Sequence, residues 1–125
     1  MIWLMETLML NTTENVNVDV LDIDSDSIAI RLVPTASAPA MLSGEIAARQ
    51  IQILVKSEDQ RKAMEQIEEL TEQYKDLPRN PYTPYNNKYR MISADVYTEP
   101  SFVDKIDDRF YVYTSILQFE MERMI

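Results

Sequence analysis

The chain has 125 residues, 46% of them hydrophobic, which suits one domain with a single core and excludes a wholly disordered polymer. It contains no cysteine and no histidine, and this removes disulfides, thiolate nucleophiles, imidazole bases and the commonest zinc ligands together. The formal charge is -9 and the twelve lysines and arginines are scattered, so a broad nucleic-acid-binding surface, which needs clustered cations to neutralise phosphates, is disfavoured.

The first apolar stretch, "MIWLMETLML", is about half the length that spans a bilayer, contains Glu6, and lacks both a basic leading region and a small-residue cleavage site. It predicts a short amphipathic helix with Ile2 or Trp3, Met5, Leu8 and Met9 on one stripe, ending near Asn11 in the turn-forming "NTTEN". No membrane contact and a cytoplasmic origin are expected. The pattern then becomes alternating: Val16, Val18 and Val20 share one parity, and "SIAIRLV" sets Ile28, Ile30 and Leu32 against Ala29 and Arg31, as in a half-buried strand. A first hairpin or strand pair is the expectation.

Residues 34 to 44, "PTASAPAMLSG", are small and include two prolines and the only glycine, which predicts a loop or arm. "RQIQILVKS" is a clear strand, with Ile51, Ile53 and Val55 opposite Gln50, Gln52 and Lys56. Ser57 and Gln60 have the spacing of a capping box, so a helix is expected from Glu58. Ala63, Met64, Ile67, Leu70, Thr71, Tyr74 and Leu77 form its apolar face, and Pro78 ends it.

"PRNPYTPYNNK" predicts an exposed irregular connection. A strand from Tyr89 to Thr98 follows, with Met91, Ser93, Asp95 and Tyr97 facing one way and Ile92, Ala94 and Val96 the other; "EPSFVDKIDD" is then a link to the closing strand. In "RFYVYTSILQFEMERMI" the odd positions Tyr111, Tyr113, Leu117, Phe119 and Met121 share one face, while the even face passes from Phe110, Val112 and Ile116 to Gln118, Glu120 and Glu122. One face is buried throughout and the other becomes wet halfway along, as in a structural strand or a surface for another subunit. The sum is a single-domain α+β fold over residues 1–125: one mostly antiparallel sheet, with a long central helix and a short N-terminal helix packed on one face.

Three polar constellations invite chemistry. Asp22, Asp24 and Asp26 alternate as in the first half of an EF-hand loop, but its sixth position is Ser27 where glycine belongs and its twelfth is Val33 where a bidentate glutamate belongs, so an acidic hairpin turn is the better reading. Asp95, Asp104, Asp107 and Asp108 surround the last two strands, where paired carboxylates act as acid and base only if they converge. No catalytic residue, metal or cofactor is assigned, and the chain is not expected to be an enzyme. Tyr82, Tyr85 and Tyr89 lie in or beside a proline-rich loop, and tyrosine suits interfaces by its large, rigid, amphipathic area; the alternative is that these rings cover the rim of the core. Met1, Met5, Met9, Met121 and Met124 gather at the two ends, where thioethers fill core gaps or adaptable contacts.

The order of a short amphipathic helix, the strand "SIAIRLV", the small-residue arm "PTASAPAMLSG", the strand "RQIQILVKS", a helix opening with "SEDQRKAMEQIEELTEQY" and a final "RFYVYTSILQFEMER" resembles the tail terminator and minor capsid proteins of long-tailed bacteriophages. The resemblance is one of layout, over most of the chain. It implies a virion protein of the tail and neck, assembled in the host cytoplasm, that closes into a ring, typically a hexamer, at the head-proximal end of the tail. Its partners would be itself, the tail tube protein and head-tail connector or neck proteins, with DNA only passing through the lumen. An acidic lumen lets DNA slide without gripping it. Another neck protein or a small acidic regulatory module shares these features. On the ring reading the contact elements are the "PRNPYTPYNNK" loop, the arm and the closing strand, with Tyr82, Tyr85, Phe119 and Met121 as anchors.

Overall fold

In the computed structural model, which describes residues 1–34 and 46–124, the chain is an α+β fold with one five-stranded sheet. In chain order the elements are α1 (Ile2–Leu10), β1 (Val16–Val18), β2 (Ser27–Leu32), β3 (Ile46–Ser57), α2 (Gln60–Asp76), a single 3-10 turn (Leu77–Arg79), β4 (Tyr89–Ile106) and β5 (Phe110–Arg123). The strand order is β1-β2-β3-β5-β4; β1 and β2 run parallel and the other neighbours antiparallel. The arm expected at 34 to 44 lies, beyond Pro34, outside the described residues.

The core follows from the two-residue period of β3 and β5. Ile51 pairs with Leu117, Ile53 with Ser115, Val55 with Tyr113 and Ala47 with Met121, so their buried side chains form one continuous apolar face. Ile28 and Ile30 extend it on β2. Both helices pack on this face. The α2 stripe of Ala63, Ile67, Leu70, Thr71 and Tyr74 is buried as its spacing predicts, and Leu77 joins it; Met64, placed on that stripe by the sequence, lies at its margin and is exposed. In α1 the buried residues are Trp3, Leu4, Met5, Thr7 and Leu8, with Met9 partly buried and Ile2 exposed, so the stripe is centred on Leu4 and Leu8. The two helices are joined at Tyr74, whose hydroxyl meets Thr12 Oγ1 at 2.6 Å. Since Thr12 already donates its one proton to Leu8 O, Tyr74 is the donor.

Four expectations are corrected. The helix α2 starts at Gln60, with Asp59 as its cap accepting from the amides of Arg61 and Lys62; Ser57 ends β3 and is engaged elsewhere. A carboxylate one residue before the first helical position outcompetes the expected serine. The strands β1 and β2 are parallel, so residues 19–26 are a crossover and not a hairpin turn; Asp19 begins the reversal at φ 69 with its amide on Ile30 O. The "EPSFVDKIDD" link is mostly strand, since β4 continues to Ile106. Finally, Met91 pairs with Met121 and Ser93 with Glu120, so Ile92 is an extra residue that reverses the facing of Ser93 to Val96, up to the next shift of register. Met91 and Ala94, expected on opposite faces, are therefore both buried.

Candidate assembly interface

The acidic crossover is held down by a lysine. Lys56 occupies the polar parity of β3, yet it is only 1% exposed. Its ammonium donates to Asp22 O and, at 2.7 Å, to Ile23 O, and lies 4.2 Å from the centroid of the Phe110 ring. Asp26 completes the clasp. It accepts from Ser57 Oγ at 2.9 Å, from the Glu58 amide at 3.0 Å and from Lys62 Nζ at 3.2 Å. Burial opposes ionisation of Asp26, but the hydrogen bonds from Glu58, Ser57 and Lys62 and the attraction of the Lys62 charge outweigh it and hold the carboxyl below its ordinary range. The three alternating aspartates thus serve a fold contact. Among the described residues no group of three potential ligands converges on a metal position.

The carboxylates around the last strands are also apart. Asp95 stands opposite Gln118 and Asp104 opposite Val112, while Asp107 and Asp108 make the exposed turn at φ 55 and 50.

Of the four expected anchors, only one is on the surface. Phe119 and Met121 are fully buried beneath the helices, so their apolar area is consumed within the chain and neither is available to a neighbour. Tyr82 is half-buried against the core, and its hydroxyl accepts from the Met91 amide at 2.9 Å. It folds the loop back onto the start of β4. Tyr85 is 49% exposed, with only its backbone anchored, by its amide to Thr7 Oγ1 at 3.1 Å. The surrounding loop is fixed to α1 by Asn11, which donates to Thr83 O and accepts from the Thr83 amide, and by Trp3 Nε1 on Asn86 O at 2.9 Å. Tyr85 is therefore presented from a rigid base.

The surface that the sequence reading missed is β4. It is an edge strand of 18 residues, and Ile92, Tyr97, Phe102 and Val103 are all exposed along it. Four shifts of register against β5, with Pro100 inside one of them, make a poor template for indiscriminate strand addition. Side chains, more than the backbone, are what this edge offers. The apolar run "SFV" was the available signal, masked by the charged residues on either side.

The β4 shift at Glu99 and Pro100 lies opposite Ser115. There a groove of about 380 Å3 opens between α2 and β4, lined by Glu68, Thr71, Glu72, Lys75, Val96 and Glu99. A second, more apolar groove of about 300 Å3 runs between α1 and the β1–β2 side of the sheet, with Ile2, Met5, Val18 and Leu32 beside Glu6 and Asp19. The solvent side of α2 carries Glu65, Glu68, Glu69 and Glu72, all exposed. No helix among the described residues is long and apolar enough to cross a membrane. No protein-family model matches the chain, and no curated protein matches it.

Proposed function

We propose that this chain is a structural virion subunit, a tail terminator that closes into a ring, of hexameric order, at the head-proximal end of a phage tail. The observation that carries this reading is the β4 edge. A chain that buries two helices and a sheet into one core nevertheless leaves Ile92, Tyr97, Phe102 and Val103 exposed along one long flank, an arrangement that suits burial against another subunit. The acidic outer face of α2 supports the same reading: like charge lining a lumen prevents the phosphate contacts that would hold DNA. The ring stops growth of the tail tube on one face and meets the neck on the other. Its partners are further copies of itself, the tail tube protein and the connector or neck proteins, and its place is the virion.

The test is tube growth. Added to polymerising tail-tube protein of the same virus, the chain should shorten the tubes and appear as a cap at one end in negative-stain images. Tubes that grow to the same length, with no cap at either end, would overturn the terminator assignment and favour another neck component or an acidic regulatory module.

A further inference from the structure

The two flanks of the sheet differ in shape and in charge. The groove at the β1 flank is apolar along Met1, Ile2, Met5, Val18 and Leu32; the two ionisable side chains on its lining, Glu6 and Asp19, are both acidic, beside the Met1 amino group. Neither enters an ion pair among the described residues. The start of β4, on the opposite flank, has the reverse character. Lys88, Arg90 and Ile92 are all exposed there, Ile92 as the extra residue of the first register shift, and Tyr85 lies three residues before Lys88 on its fixed loop. Arg90 reaches Glu122 at 3.0 Å and Lys88 has no ion-pair partner among the described residues. In a chain of net charge -9, association between copies needs local attraction to overcome general repulsion. This pairing of an acidic apolar groove with a basic apolar strand supplies it.

We infer that the α1–β1 groove of one copy receives the Tyr85–Ile92 stretch of a second copy, with Ile92 and Tyr85 seated on the apolar wall and Lys88 and Arg90 facing Glu6 and Asp19. This rests on the ring reading and gives its contact a location. The two patches share no residue, so the contact is head-to-tail, and each bound pair leaves one groove and one strand free. A head-to-tail contact of this kind closes into a ring when its rotation divides the circle. Salt screens the ion pairs of this contact, as it also screens the general repulsion between copies.

Two variants test it by light scattering. Ile2→Lys with Glu6→Lys spoils the groove, and Lys88→Glu with Arg90→Glu spoils the strand; all four positions lie at the surface or half-exposed, away from the core. Each variant alone should need at least about tenfold more protein to associate. Mixed together, they should form a one-to-one pair and nothing larger, since only the groove of one and the strand of the other remain intact. If the wild type assembles while both variants assemble equally well, this contact is overturned and the ring reading stands. If the mixture gives no pair although both variants keep the wild-type circular dichroism, the contact is likewise overturned. A wild type that stays monomeric at every concentration and on tail tubes overturns both.

Discussion

Lys56 and Phe110 form a buried cation–ring pair, with the ammonium 4.2 Å from the ring centroid and its donors turned to the carbonyls of the acidic crossover. The pair joins three segments, β3, the start of β5 and residues 22–23, at one end of the sheet. Replacing Lys56 with methionine keeps much of the volume but removes the charge-assisted bonds to the Asp22 and Ile23 carbonyls. The expected loss is about 2 to 3 kcal/mol, read as a lower urea midpoint. An unchanged midpoint would mean that the crossover is held without the lysine.

The Asp26 carboxylate gives the clasp a pH dependence. Its folded pKa lies below the ordinary value of 3.8, so its contribution is fully present above that value and is lost as pH falls through the folded pKa. Wild type should therefore lose stability more steeply than Asp26→Asn below about pH 4, and the two should run in parallel above about pH 5. Urea midpoints across that range check this; equal slopes below about pH 4 would contradict it.

Thr71 on α2 and Ser115 on β5 are buried and 2.7 Å apart. Thr71 spends its proton on Ile67 O at 2.6 Å, so Ser115 is the donor. Thr71→Val leaves that donor without its acceptor and should destabilise by about 1 to 2 kcal/mol, whereas adding Ser115→Ala should cost little more, because both partners are then gone. A double-mutant cycle measures the coupling. Additive losses would show that the pair does not act as a unit.

The two loop tyrosines separate folding from assembly. Tyr82→Phe removes the acceptor of the Met91 amide and should lower chain stability by about 1 kcal/mol. Tyr85→Ala removes no side-chain hydrogen bond and keeps the backbone anchor to Thr7, so it should shift the urea midpoint less than Tyr82→Phe while weakening association by about 1 to 2 kcal/mol. The reverse pattern would return Tyr85 to a purely internal role.

Phe119 shows where sequence pattern and surface part company. Its period-two placement correctly put it with Leu117 and Met121 on the buried face of β5, but periodicity does not say whether the chain's own helices or a neighbour covers that face. Phe119→Ala should therefore cost about 3 to 5 kcal/mol in monomer stability, measured by urea unfolding. A loss confined to association would contradict the core placement. The regular elements β3, α2 and β5 were legible because their apolar residues keep phase along their whole length. β4 was not, because an extra residue at Ile92 breaks the phase and further shifts follow at Val96, Thr98 and Phe102. Lys56 was equally hidden: its burial depends on a crossover folding over the end of β3 from distant sequence, and alternation reports only local facing. The helix cap moved from Ser57 to Asp59 because Ser57 is drawn to Asp26 across the same contact.

The claim that this chain is built to assemble is tested most directly by its mass in solution, measured by light scattering behind a sizing column over a wide range of concentrations and again with tail tubes present. The account predicts a discrete closed species, free or on the tube, whose mass is a small whole multiple of the single chain and stays fixed as concentration rises. A strict monomer under both conditions would contradict it.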